Sequence, residues 1–538
     1  MPSNSSPETT RVSPEPRSRP RGLSSWLPLV ILLLFSFAAL VSNAHVKPFT
    51  IDEMLGFSLI SQPSLRALVH FESTTPIWFD PPAFAMLVHT SWKLFGASAL
   101  ALRLPSIVSI LILLTALYFL LRRIAGQRAA LFVTLLAVTF PAFDFGWHER
   151  PYALIMAMVA VAALCWHRAS HPPARGVTQR LLPLAGLLLS LAIAINSHYF
   201  AIFATLPFLL AELVRSSEHR RLDPPVIFTL ILACCSALLT LPFRSAIMQY
   251  RDHVITGDLS WAQIIRTYQI TLPGPPTAWP DYLLNLALVV FMIAVLLGSV
   301  LIFERRNDWS TWTLVASLTL TPIVTVAFAV YVLHAYRERY AIFQFVGLML
   351  SLGIVVGPLL NRMKRPLYLI VLVVLCGYVI QHHVQLHSDV KEDARVELAN
   401  ILPSDNVRTM LLQNPGLPVF APVESCLLES FYGSALVRQH MICIYSAERE
   451  ILYGQTDTVA RTSAVLATQP GFHIVPYETM VATPGPRLLV NRSEPWESWI
   501  EKSLQADGVQ STSIGKGLSG VELELSTSHR APVREGSP

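Results

Sequence analysis

Charge is scarce in this sequence. Asp, Glu, Lys and Arg make up 14% of its 538 residues, while 53% are hydrophobic and the mean hydropathy is +0.49. A soluble chain carries roughly a quarter of its residues as charged side chains, so most of this one is expected to lie in lipid. No CxxC or Cys/His ligand spacing occurs, which removes a structural zinc module. No GxGxxG, Walker sequence, DxD motif or internal repeat is present either, which argues against an ATP-driven pump and against a cytosolic enzyme using nucleotide sugars. The net charge of +5 is dispersed in small Arg clusters between apolar runs and not along a continuous stripe, so nucleic acid is not an expected partner.

The apolar runs that are present have spanning length. The first extends from Trp26 to about Val41, and others lie near 104–121, 129–143, 152–166, 181–195, 199–214, 225–242, 283–303, 311–333, 340–360 and 366–380. The hydropathy pattern therefore predicts about 11 transmembrane helices. Residues 1–22, rich in Pro, Ser and Arg, read as a disordered cytoplasmic tail, with Arg17, Arg19 and Arg21 holding the N-terminus inside. Alternate loops then carry Arg122, Arg123 and Arg128; Arg168, Arg175 and Arg180; Arg215, Arg220 and Arg221; Arg305 and Arg306; and Arg362, Lys364 and Arg365. All of these face the cytoplasm under the positive-inside rule. The remaining loops, including the long segments 44–102 and 243–282, face outward. After residue 380 a mixed polar and apolar pattern, with short apolar runs at 416–421 and 487–490, predicts a soluble extracytoplasmic α/β domain over 381–538. Cys426 and Cys443 fall there, a disulfide if the compartment is oxidising and two buried thiols otherwise.

Unusual polar residues gather in the outward loops. Asp52 and Glu53 follow the first helix by about ten residues. On a helix their side chains diverge by about 100°, so one can enter a cavity while the other braces the loop or meets a cation. Asp144-Phe-Gly-Trp-His-Glu149-Arg150-Pro151-Tyr152 links two spans, with Pro151 suited to a first helical turn; the plainer account is a salt-bridged cap with aromatic anchors. His198 lies in a tight Asn-Ser-His-Tyr turn, a place where histidine is often structural. Arg337 and Arg339 oppose the positive-inside bias, as expected of phosphate ligands, although a surface network with Glu338 explains them equally well. Asp80 precedes Pro81-Pro82, which also suits a Pro-fixed turn that starts a helix.

The order of these motifs resembles the membrane glycosyltransferases of the GT-C fold. It is most similar to glycosyltransferase family 39, the protein O-mannosyltransferase and aminoarabinose-transferase-like group. Five stretches carry the resemblance: Asp52-Glu53; Pro81-Pro82 with Leu94-Phe95-Gly96 and Leu102-Arg103-Leu104-Pro105-Ser106; Glu149-Arg150-Pro151-Tyr152; Ser197-His198-Tyr199; and Arg339-Tyr340. Together they extend over roughly the first two thirds of the chain.

The resemblance implies an all-α polytopic bundle (GT-C type) and transfer of a sugar from a polyprenyl phosphate to an acceptor hydroxyl outside the cytoplasm, with inversion. It assigns Asp52 as the base, Glu53 as its support or as part of a cation site, and Glu149 as an orienting carboxyl. Arg150, with Arg337 or Arg339, would neutralise the departing phosphate, and Tyr152, His198 and Asp80 would line the donor site. Some members bind a divalent ion and others do not. Many have His where this chain has Asp80, so no metal ligand is assigned. The acceptor, whether protein, lipid or glycan, is left open.

Three other readings compete. A transporter or flippase would place its charges near the bilayer midplane on broken helices with repeat symmetry. A lipid-linked glycan ligase or polymerase would not be expected to begin with Asp-Glu after the first helix. A scaffold gives the polar loop clusters no task.

Overall fold

The computed structural model describes residues 26–75, 80–96, 98–171, 178–251, 260–272, 290, 292–301, 308–334, 336–401, 405–454, 458–467, 473–492, 499–509, 511–516 and 521–526. The N-terminal tail expected at 1–22 and the first part of the span expected at 283–303 lie outside these residues.

Among the described residues eight helices are long and apolar enough to cross a membrane: Leu27–Val46, Ala99–Ile124, Tyr152–Ser170, Tyr199–Glu218, Pro224–Ala246, Trp309–Leu333, Gln344–Arg362 and Arg365–Leu398. A ninth crossing is the pair Gln127–Ala137 and Pro141–Trp147, bent by 65°. Gln179–Ile195 and Met292–Leu301 are shorter apolar helices. Each of the expected spans thus has a helical counterpart, and the chain is an integral, multi-pass membrane protein. The helix Ala99–Ile124 lies at the centre, packed against Leu27–Val46, Ala83–Phe95, Gln127–Ala137 and Tyr152–Ser170. Small residues bring helices close elsewhere in the bundle. A Cβ at Gly347 would run into the backbone at Leu318 and Thr319, so only glycine permits that approach.

Pro105 lies inside the central helix and cannot donate to the carbonyl of Ala101 four residues earlier. The Ser91 hydroxyl donates to that carbonyl instead, at 2.5 Å. One missing helical bond thereby ties the helix Ala83–Phe95 to the central one, two residues from Arg103.

The last span does not end where the composition turns polar. The helix runs unbroken over Arg365–Ile401, because Gln, Lys, Glu, Ala and Leu after residue 380 are all good helix formers. At 1.5 Å per residue it is about 55 Å long, well beyond the roughly 30 Å hydrocarbon layer. Its polar end leads into a six-stranded sheet: β1 (Val419–Pro422), β2 (Met441–Tyr445), β3 (Ile474–Pro476), β4 (Arg487–Arg492), β5 (Ser511–Lys516) and β6 (Val521–Ser526). The order is β3-β2-β1-β4-β6-β5, the first four parallel and the last two antiparallel additions. The two apolar runs read from the sequence become β1 and β4, which are neighbours.

Cys426, on the helix Val423–Tyr432, is bridged to Cys443 on β2, with Cα atoms 5.6 Å apart. The bond clamps that helix to the sheet. With a sequence separation of 17, its loss is expected to cost about 3 kcal/mol by loop-closure entropy. Cys426→Ser, or reduction of the intact protein, should lower the unfolding midpoint of the sheet region, measured by thermal melting in detergent. An unchanged midpoint would mean that the bridge adds no stability.

Candidate active site

The site is built around a buried ion pair. Thr50 caps the helix Ile51–Ile60 in a capping box: its hydroxyl accepts from the Glu53 amide at 3.3 Å, and Glu53 accepts from the Thr50 amide at 2.8 Å. This Thr-x-x-Glu pattern was legible in the sequence. Glu53 is thereby turned inward, toward Arg103, which is fully buried in the central helix.

The Arg103 guanidinium uses every donor it has. Nε and Nη2 donate to the two Glu53 oxygens at 2.9 and 2.8 Å. Nη1 donates to the carbonyls of Ala44 and Lys47, both at 2.8 Å, and Nη2 also donates to that of Pro48 at 2.9 Å. Five N–H groups meet five acceptors. Burial pushes the Glu53 carboxyl up, but the Arg103 charge and hydrogen bonds overcome it and hold the group below the usual carboxylate range. Glu53 Oε1 also accepts the backbone amide of Glu149 at 2.8 Å, and the Ser106 hydroxyl donates to the Arg150 carbonyl at 3.2 Å. One carboxylate thus sets the relative position of the Asp52 loop, the central helix and the Glu149-Arg150 turn.

Asp52 points the other way. Its side chain is 53% exposed, forms an ion pair with Arg150, and lies 3.8 Å from Arg339. Arg339 reaches it from the short helix Glu338–Ala341 and also stands over the Tyr152 ring, 5.6 Å from its centroid. Arg337 caps that helix and is half-buried; of the two arginines, Arg339 is the one near Asp52. Beneath the pair a small cavity is lined by Asp80, Glu149, Arg150 and Pro151 together with the apolar Leu59 and Phe84.

Glu149 is buried, and its Oε2 has no hydrogen-bond partner. Burial and the neighbouring Glu53 charge raise its carboxyl well above the ordinary value despite Arg103. Asp80, raised to about 7 by burial against the pull of Arg339, lies 3.6 Å from His198. His198 is buried, is lowered to about 3 by burial and by Arg339, and packs 4.7 Å from the Tyr340 ring. The Asp80–His198 contact therefore joins a carboxyl to a neutral imidazole.

The sequence reading assigned no role to two residues of this site. Arg103 carried a signal, a lone guanidinium inside an apolar run. Glu72 carried less: it lies on the amphipathic helix Leu65–Thr74, buried, with neither oxygen hydrogen-bonded, and burial and Asp80 raise it to about 9. Among the described residues no three His, Cys, Asp or Glu side chains converge as metal ligands. The oxygen-rich donor set that a resident divalent ion needs is therefore not assembled here, and no step is assigned to a metal.

The buried ion pair, the acid held between two guanidiniums and the small cavity lie together at one end of the helical bundle. Residues 80–242 match the family described as dolichyl-phosphate-mannose-protein mannosyltransferase. The fold matches the crystal structure of ArnT from Cupriavidus metallidurans in the apo state, with a TM-score of 0.59 at 11% identity over 94% of this chain and 98% of that one. The same protein bound to undecaprenyl phosphate matches with a TM-score of 0.58, again at 11% identity and with the same coverage. The oligosaccharyltransferase AglB from Archaeoglobus fulgidus, in complex with an inhibitory peptide and a dolichol-phosphate, gives a TM-score of 0.46 at 12% identity over 91% of this chain and 72% of that one. No curated protein matches in sequence. The chain therefore has the GT-C fold of that ArnT structure, and residues 80–242 are similar to the mannosyltransferase family.

Two measurements test this electrostatic layout. Arg103→Met leaves the Glu53 charge buried and unpaired and should destabilise the protein by about 3–5 kcal/mol. Adding Glu53→Gln should recover part of that loss; full additivity in thermal melts would mean that the pair does not interact. Asp80 has a folded value raised above its unfolded one, so its contribution is present below about pH 4 and lost as pH rises through about 7. Asp80→Asn should remove a decline on the order of 4 kcal/mol across that window. An identical pH profile in the variant would contradict the assignment.

Proposed function

We propose that this chain moves a sugar from a polyprenyl-phosphate donor to an acceptor hydroxyl on the extracytoplasmic face. The observation that carries the reading is the Asp52 carboxylate held by Arg150 and Arg339, with Arg150 also lining the small cavity beside Glu149 and Asp80. A donor phosphate and Asp52 compete for the same two guanidiniums. When the phosphate oxygens take Arg150 and Arg339, Asp52 is released to face the acceptor.

Asp52 then accepts the acceptor's hydroxyl proton as the oxygen bonds to the anomeric carbon. The anomeric carbon–oxygen bond breaks with its electron pair going to the phosphate, whose charge the two guanidiniums stabilise. A single displacement of this kind inverts the anomeric centre. Glu149, whose buried Oε2 has no hydrogen-bond partner, orients the bound donor. His198 and Tyr152 form the wall that keeps Arg339 in place.

The orientation rests on the positive-inside pattern and on the Cys426–Cys443 bridge, which suits an oxidising compartment. The N-terminus is cytoplasmic, and residues 381–538 extend outside. The same pattern favours an inner or plasma membrane. The acceptor belongs to the envelope, as protein, lipid or glycan.

Asp52→Asn should reduce transfer by about 10²–10⁴-fold in a single-turnover assay with purified enzyme and polyprenyl-phosphate sugar, while the melting temperature stays within a few degrees of wild type. Full turnover by Asp52→Asn would remove Asp52 from the mechanism. Arg339→Gln should instead weaken donor binding as well as turnover, because it loses a phosphate contact.

A further inference from the structure

The helices that end at the Asp52 site begin or end, on the opposite side, around a second polar chamber. Tyr152 packs near Asp52, whereas Ser170, at the other end of the same helix, lines a cavity of about 790 Å³. The two residues are about 27 Å apart along the helix, roughly one hydrocarbon thickness. The chamber therefore lies on the membrane face opposite the transfer site, at headgroup depth.

Its lining is rich in basic side chains, with Arg180, Arg215, Arg221, His171 and His219. Asp223 is the carboxylate among the lining residues, and its Oδ2 is already shared by Arg180 at 2.5 Å and Arg215 at 3.2 Å. Arg215 is bonded on its other side to both oxygens of Glu212, at 3.0 and 2.5 Å. His219 Nδ1 lies 2.9 Å from the Arg215 carbonyl. Several polar groups are left over. Arg221 is exposed, and its guanidinium forms no ion pair among the described residues. Arg180 Nε, Ser170 Oγ and His171 Nδ1 are buried without a partner, and Ser170 is only 7% exposed.

Among the described lining residues three guanidiniums, Arg180, Arg215 and Arg221, accompany one carboxylate, Asp223, with Asp308 facing His171 at 3.8 Å, and Arg180 Nε is a buried donor without an acceptor. A site of this kind takes a compact anion rich in oxygen acceptors. We propose that the chamber binds the phosphate group of an anionic phospholipid headgroup from the leaflet opposite the transfer site, with Arg180, Arg221 and Ser170 as its ligands. Its volume suits a headgroup, and basic pockets between spanning helices at this depth have the chemistry for one. Arginine supplies the planar fork that phosphate oxygens prefer.

The test uses the full chain reconstituted in phosphatidylcholine bilayers with or without phosphatidylglycerol. It follows retained lipid by native mass spectrometry and stability by thermal melting. Wild type should retain phosphatidylglycerol and melt higher with it, and Arg180→Gln and Arg221→Gln should each lower retention by on the order of tenfold. Arg221→Gln, at an exposed position, should melt like wild type in pure phosphatidylcholine, which separates lost binding from lost folding. Inorganic phosphate in pure phosphatidylcholine distinguishes the source of the anion. Stabilisation by phosphate alone that both variants abolish would support the phosphate site but overturn the lipid as its occupant. Equal phosphatidylglycerol retention by wild type and both variants, or none by wild type, would overturn the proposal.

Discussion

The site depends on one contact, the pairing of Arg103 with Glu53. Taking two charges out of water costs several kcal/mol per ion, and mutual attraction offsets that only when every remaining donor and acceptor is met. Here each guanidinium N–H has a partner, three of them backbone carbonyls, one in the last turn of the first helix and two in the loop that follows it. A loop bonded in this way cannot shift without exposing a buried charge. Its stiffness is transmitted to Asp52, one residue from Glu53, and through the Glu149 amide to Arg150. The pair makes no contact with the donor in the proposed mechanism, yet it fixes the geometry of the groups that do.

The same contact explains why adjacent acids have opposite fates. Glu53 is buried and ionised because Arg103 compensates it, whereas Asp52 faces the opening between two guanidiniums that phosphate oxygens also suit. Glu149 is buried beside Glu53, and its carboxyl is raised well above the ordinary value. Three carboxyls close together thus take three different states from their surroundings alone. The sheet region joins this arrangement through Tyr432, whose hydroxyl accepts the Phe49 amide at 2.7 Å, while the Phe49 ring lies 5.1 Å from the Arg103 guanidinium carbon. The helix carrying Tyr432 is the one that the disulfide ties to β2, so covalent bracing of the sheet reaches the loop before Asp52.

Hydropathy made the spans legible because lipid forces each helix to satisfy its own backbone, leaving an apolar run as the only local requirement. The site was legible in part for a related reason: Asp52, Glu149, Arg150 and Arg339 are charges at the membrane rim, where each demands an explanation. What the sequence concealed were pairings. Glu53 and Arg103 are separated by 50 residues and meet only because two helices cross, so no local pattern announces which cation Glu53 would meet. Glu72 sits on a helix whose amphipathic pattern gives no hint that its carboxyl is buried. The last helix outruns its apolar stretch for a different reason, since hydropathy reports where lipid stops and not where a helix does. The long helix over Arg365–Ile401 continues because its polar residues favour the conformation in water as well.

The two faces of the bundle solve one electrostatic problem in different ways. At the transfer face, arginines that oppose the positive-inside bias are held by acids, so the cationic groups stay neutralised until an anion competes for them. At the opposite face arginines are common for topological reasons, and a splayed arrangement in water would suffice to orient the chain. Arg180 and Arg215 are instead folded against one shared Asp223 oxygen around a chamber in which the buried Arg180 Nε has no acceptor. Desolvating donors without acceptors is unfavourable, and nothing in the orientation of the helices requires it. An anionic headgroup in that chamber would supply the missing acceptors, so the arginines that set the topology would also hold a lipid.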